Sequence, residues 1–172
     1  MIISTPPCSI IKPLHEDYKQ DLFRLANDKE TALLSSHWEP VGWDTRCTWF
    51  DERVNNHDFL VMVIAPEGKF LGHIDLKRID HQHNHAELAI VMTKEERGKG
   101  IGTQALKEMV EIGFETLGLK KIYLYTRTDN LSAIKAFSKA GFQKEATPCQ
   151  KRLIAGSFYD FDIMSRFRYN AA

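Results

Sequence analysis

The stretch that decides the fold is Leu88-Ala89-Ile90-Val91-Met92-Thr93-Lys94-Glu95-Glu96-Arg97-Gly98-Lys99-Gly100-Ile101-Gly102-Thr103. Its first five residues are continuously apolar, the pattern of a strand buried on both faces. From Ile101 to Leu117 the period changes to that of a helix: Ile101, Ala105, Met109 and Leu117 share a stripe flanked by Leu106 and Val110, and Gly118 ends it. Between strand and helix stand three glycines beside two cations. Glycines let a ligand approach the backbone and leave N–H groups exposed at the positive end of a helix dipole, so the loop reads as a phosphate cradle.

Spacing narrows the phosphate ligand. Lys99 is followed by Gly100 rather than Ser or Thr, which disfavours nucleotide hydrolysis. Gly100-Ile101-Gly102-Thr103-Gln104-Ala105 satisfies G-x-G-x-x-A with Asp129 after the next strand, but in that dinucleotide motif the first glycine follows directly on the strand. Here Thr93 to Glu96 intervene and hairpins precede, so an NAD-binding oxidoreductase stands well behind.

Working toward the N-terminus, Phe59 to Ala65, the turn Pro66 to Lys69, Phe70 to Ile79, the turn Asp80 to Asn84 and His85 to Met92 predict three antiparallel strands. Cys8 to Leu14 reads as a first strand, and Glu16 to Asn27 and Asp44 to Asn55 as helices, the second capped by Asp44. Toward the C-terminus come a strand Lys121 to Arg127, a helix capped by Asn130 with inner face Ala133, Ile134, Phe137 and Ala140, and strands Phe142 to Ala146 and Phe158 to Phe167 around a turn at Ala155-Gly156. The order predicts an α/β fold, a mixed sheet flanked by helices, as one domain over residues 1–172.

With 23 basic and 23 acidic side chains the chain has no net charge to steer it to nucleic acid or a membrane surface. Its longest apolar run falls far short of the roughly 20 residues of a spanning helix. The start has no signal-peptide pattern, so the expected location is the cytosol. Cys8, Cys47 and Cys149 read as reduced thiols.

The loop and its context resemble the GNAT superfamily of acyl-CoA-dependent N-acyltransferases, whose pyrophosphate loop reads Q/R-x-x-G-x-G/A, matched by Arg97, Gly100 and Gly102. The resemblance extends over nearly the whole chain. Asn130-x-Ser132-Ala133 and Gly156-x-x-Tyr159-Asp160 are similar to the branch of ribosomal-protein N-terminal and spermidine acetyltransferases. It implies acetyl-CoA as cosubstrate and no metal. The backbone of Arg97, Gly98, Lys99, Gly100, Ile101, Gly102 and Thr103 would hold the diphosphate, Ile90, Val91 and Met92 would pair with the pantetheine arm as with an added strand, and Asn130 and Phe137 would border the cofactor. The acceptor is then a primary amine, a protein N-terminus placed slightly ahead of a small polyamine-like molecule, and a homodimer is a further expectation.

Attack by an amine requires that an ammonium lose a proton, and Glu87, just before the apolar part of its strand, is the candidate base, acting through water. Its alternative is a structural ion pair. Many family members carry a Tyr acid four residues before the Gly of the Gly-Phe that ends the last helix; this chain has Phe137 there, which leaves the acid unassigned and keeps a non-catalytic CoA-binding sensor as the rival reading. Trp38, Trp43 and Trp49 with Glu39, Asp44 and Asp51 could wall an amine site, or simply be core and surface. His81, His83 and His85 alternate through a turn; with no Cys or acid to complete a ligand set, a solvated hairpin is expected.

Overall fold

The computed structural model describes residues 9–34, 39–147 and 152–168. Cys8, Trp38 and Cys149 of the sequence reading lie outside the described residues.

The chain forms β1 (Ile11–Pro13), a 3-10 turn (Glu16–Tyr18), α1 (Lys19–Asn27), α2 (Lys29–Leu34), α3 (Trp43–Asn55), β2 (Phe59–Ile64), β3 (Gly72–Asp80) and β4 (His85–Met92). These are followed by α4 (Ile101–Glu111), β5 (Lys121–Arg127), α5 (Leu131–Lys139), β6 (Gln143–Ala146), β7 (Arg152–Ile154), β8 (Ser157–Tyr159) and β9 (Phe161–Phe167). Seven strands make one sheet in the order β1-β2-β3-β4-β5-β9-β6, in which β4 and β5 alone run parallel. The strand reading of His85 to Met92 and Lys121 to Arg127 is met at both ends.

Period-2 alternation gives the sheet two faces. Leu60, Met62, Ile74, Leu76, Leu88, Ile122 and Leu124 point to one side, where Ala105, Leu106, Met109 and Val110 of α4 cover them and complete the main core. The other side carries Val61 and Val63 with the polar residues His73, Asp75 and Glu87, partly roofed by Phe50 and Trp49 of α3.

Four elements depart from the sequence reading. The stripe Ile101 to Leu117 is not one straight helix: α4 widens into a π-turn at Ile112–Thr116, with Leu117 N donating to Ile112 O at 3.1 Å. There Gly113 lies so close to β5 that a Cβ would sit 2.7 Å from Ile122 Cδ1. Asp44 does not cap α3; Gly42 holds the cap position and Asp44 lies in the first turn, where its charge still complements the helix dipole. Helix α2 was not anticipated. Finally, Phe158 to Phe167 is broken at Asp160, whose carbonyl accepts from Thr128 N at 3.0 Å, so β8 leaves the main sheet and pairs with β7.

Candidate active site

Pairing between β4 and β5 covers only His85 with Lys121, Ala86 with Ile122 and Glu87 with Tyr123. Beyond Glu87, β4 stays with β3 as far as Met92 and β5 stays with β9 as far as Arg127, so the sheet splits. Among the described residues, the β5-facing edge from Leu88 to Val91 has no strand partner, and such an edge favours an extended ligand that can complete its hydrogen bonds.

A cleft of about 350 Å³ occupies the split. Ile90, Val91 and Met92 form one wall, Gly102, Thr103 and Leu106 of α4 another, and Ala133, Ala136 and Phe137 of α5 a third. Gly98 and Gly100 take φ of 78° and 86°, a left-handed backbone that favours glycine. Among the described residues, no acceptor engages the amides of Gly98, Lys99, Gly100, Ile101, Gly102 or Thr103; the helical ladder begins with Gln104 N on Gly100 O at 3.1 Å. Six successive free donors at a helix N-terminus are what a diphosphate requires. A Cβ on Gly102 would make only ordinary contacts of 3.8 and 3.9 Å with Ile90 and Met92, so the protein's own packing leaves room at that glycine.

Arg97 belongs to the frame of this loop. Its amide donates to Lys94 O at 3.3 Å, while its guanidinium donates to Met92 O at 3.1 and 3.3 Å, to Thr31 Oγ1 at 2.6 Å and to Glu30 at 3.3 Å. Arg97 thus lines the cleft with its own N–H already engaged, while the free amides begin at Gly98. Lys99 lies half-exposed, 3.0 Å from Glu96, which Lys69 and Lys99 together hold below the usual carboxylate range. Asn130 accepts from Ala133 N at 3.2 Å through Oδ1, and so caps α5 while bordering the cleft.

Phe137 is buried in the cleft wall, edge-on to Phe142 with centroids 6.2 Å apart, and offers no hydroxyl. Thr31 and Leu34 of α2 also line the cleft and went unread in the sequence. The available signal was Asp28, whose carboxylate accepts from Thr31 N at 2.9 Å as a helix cap; those bonds to Thr31 hold Asp28 below its ordinary range.

On the opposite face Glu87 is buried, with Oε1 3.0 Å from Lys77 Nζ and Oε2 2.8 Å from Arg78. Lys77 is its cross-strand neighbour, and Arg78 reaches it from an irregularity in β3. Tyr123 lies beside it; burial, then the charges of Glu87 and Tyr125, push its phenol up, and Arg78 opposes them. His73 Nδ1 and Asp75 Oδ1 face each other at 3.3 Å without a hydrogen bond.

The aromatic amine site is only partly assembled. Trp49 packs edge-on against His73, but its ring already carries Arg46 at 4.5 Å and Arg53 at 5.2 Å. Trp43 packs on Phe23, Asp51 is paired with Lys19 at 3.6 Å, and Glu39 and Asp44 are exposed. Arg46 is itself nine-tenths buried with no partner for Nε; burial and then Arg53 hold its guanidinium below the usual range. Cys47 is a half-buried free thiol, and no described helix is long and apolar enough to cross a membrane.

Comparison with known proteins agrees with this geometry. Residues 9–143 match the model of the acetyltransferase (GNAT) domain. The spermidine N(1)-acetyltransferase of Escherichia coli (strain K12) is 30% identical over 162 residues, 92% of this chain and 86% of that protein. The L-amino acid N-acetyltransferase AaaT of the same organism is 25% identical over 122 residues, 70% of this chain and 75% of that one. Among solved structures, the spermidine N-acetyltransferase from Vibrio cholerae in complex with CoA and spermine shares the fold, with a TM-score of 0.86 at 21% identity over 91% of this chain and 94% of that one. An open strand edge, a loop of free amides and a domain match spanning most of the chain lead to one conclusion: the chain belongs to the GNAT acetyltransferase family and is an acetyl-CoA-dependent N-acetyltransferase.

Proposed function

We propose that the acceptor is a polyamine and that Glu87 receives the proton its ammonium must lose. The spermidine acetyltransferase that is similar over 92% of this chain supports the substrate class. The observation that carries the chemistry is the parting of β4 and β5 just past Glu87, which puts a buried carboxylate at the closed end of the split.

Acetyl-CoA supplies a thioester carbonyl open to attack by an amine. The free amides of Gly98 to Thr103 bind its diphosphate, and the edge of Ile90, Val91 and Met92 holds the pantetheine arm extended. A strand amide near Met92 stabilises charge that develops on the carbonyl oxygen. Glu87, held in place by Lys77 and Arg78, takes the acceptor's proton through a water. With Phe137 at the family's Tyr position no side-chain acid is assigned, and a thiol of pKa about 8.5 leaves without obligatory help.

A second reading follows from Arg46. A buried guanidinium that no described carboxylate pairs with, on the same side of the sheet as Glu87, favours an acceptor with a carboxylate of its own, such as an amino acid or a short peptide.

Thiol release from acetyl-CoA across spermidine, spermine, N-terminal peptides and amino acids decides between them. Turnover of spermidine or spermine supports the polyamine, turnover of carboxylate-bearing amines alone supports the second reading, and release with none of them overturns both. In Glu87→Gln the defect should be largest near neutral pH and shrink at high pH, where the amine loses its proton unaided. A pH-independent defect would reduce Glu87 to an ion-pair partner.

A further inference from the structure

We propose that Asp80, His83 and His85 form a binding site for a divalent transition-metal ion on the β3–β4 hairpin. The expectation of a merely solvated hairpin rested on the lack of an acid beside the histidines; the fold supplies Asp80. The residues face each other across the turn because Asp80 pairs with His85 at its base while His83 lies within it.

One ligand atom from each of the three lies within 4.8 Å of the other two. Asp80 Oδ2 is 2.8 Å from His83 Nδ1 and 3.6 Å from His85 Nε2. With bonds of about 2.0–2.2 Å from metal to imidazole nitrogen or carboxylate oxygen, ligand atoms stand about 2.9 Å apart at adjacent octahedral positions and about 3.4 Å apart in a tetrahedron. The two separations bracket those values, and the third, between the histidines, is at most 4.8 Å.

The carboxylate is also aimed. Oδ1 of Asp80 accepts from Gln82 N at 2.9 Å and His83 N at 2.8 Å, leaving Oδ2 directed at both rings. Such outer bonds fix the orientation of metal ligands. The two imidazoles stack with centroids 6.3 Å apart and planes 22° off parallel, and His85 is braced by the edge of Tyr123. Among the described residues, His85 Nδ1 is buried without a hydrogen-bond partner. Two nitrogens and one oxygen suit Zn²⁺, Co²⁺ or Ni²⁺, whereas Mg²⁺ and Ca²⁺ prefer all-oxygen sets. Three protein ligands leave at least one position to water. The site lies at the opposite end of β4 from Met92, apart from the acetyl-CoA cleft.

The test is calorimetric titration of the untagged full chain with ZnCl₂ and MgCl₂ in a non-chelating buffer, beside His83→Ala and His85→Asn. Expected are one Zn²⁺ per chain, affinity at least tenfold weaker in each variant, and no comparable Mg²⁺ binding. Co²⁺ should give a visible absorption band with the wild type that His83→Ala loses. His83 is exposed, and unchanged CoA binding by that variant shows it folded. Zn²⁺ binding that is absent, equally strong in both variants, or matched by Mg²⁺ overturns the site.

Discussion

Replacing Gly100 by Asp and, separately, by Asn tests the phosphate cradle with its own control. Gly100 has φ of 86° and a Cβ there would meet nothing within 4 Å, so neither side chain clashes with the protein. Asn and Asp tolerate the left-handed backbone better than other residues, and each should cost about 1 kcal/mol of stability. A carboxylate beside the positive end of α4 recovers about 0.3–1 kcal/mol, so the Asp variant should melt at or above the Asn variant. Acetyl-CoA affinity should run the other way. A unit charge about 4 Å from a phosphate costs up to about 4 kcal/mol at an effective dielectric of 20. The loop is open to solvent, and screening reduces this to about 1–2 kcal/mol, or about five- to thirtyfold weaker binding for Asp than for Asn. Calorimetry with acetyl-CoA at low and high salt, beside thermal melts, reads both orders, and the gap in affinity should narrow with salt. Equal affinities of the two variants would refute a diphosphate at these amides, because a folding defect cannot produce opposite rankings.

Three further expectations follow from named contacts. A Cβ on Gly72 would sit 2.1 Å from Val91 O, so Gly72→Ala should lose about 3 kcal/mol in denaturant melts and weaken acetyl-CoA binding by displacing a cleft wall; wild-type behaviour in both would contradict the packing of β3 on β4. Phe137→Tyr returns a hydroxyl to the family's acid position and should keep or raise kcat, whereas loss of turnover would show a site too tight for the extra oxygen. Hydrogen bonds from Thr31, Arg127 and Lys121 hold Asp28, Asp129 and Glu145 below their ordinary values. Folded values below the unfolded ones add stability above the ordinary range near pH 4, lost as the pH falls through the folded values. The melting temperature should be level from pH 7 to 5 and fall below about 4; a flat profile to pH 3 would disprove the contribution of these pairs.

Local chemistry made much of this molecule legible. His85 to Met92 was readable because a strand buried on both faces cannot hide its apolar run, and Asn130 because a cap lies three residues from the amide it serves. What escaped reading depends on partners distant in sequence. Lys29–Leu34 is short and buries only Thr31 and Ala32, too few residues to set a period. The alternation of Phe158 to Phe167 continues through Asp160, and the break comes from Thr128. That Arg97 braces the loop follows from Met92 O and Glu30, which the fold alone brings to it. Glu87 was foreseen as a buried carboxylate, but Arg78 meets it through an irregularity in β3 that no pattern announced.

The narrow seam between β4 and β5 has a dynamic consequence. Three facing positions join the two halves of the sheet, so those β4 amides beyond Glu87 that face the split rather than β3 lack the mutual protection that a continuous ladder gives its members. In hydrogen–deuterium exchange they should label quickly in the free protein and slow markedly once an acyl carrier lies along them, as though the cosubstrate were a strand the gene never encoded.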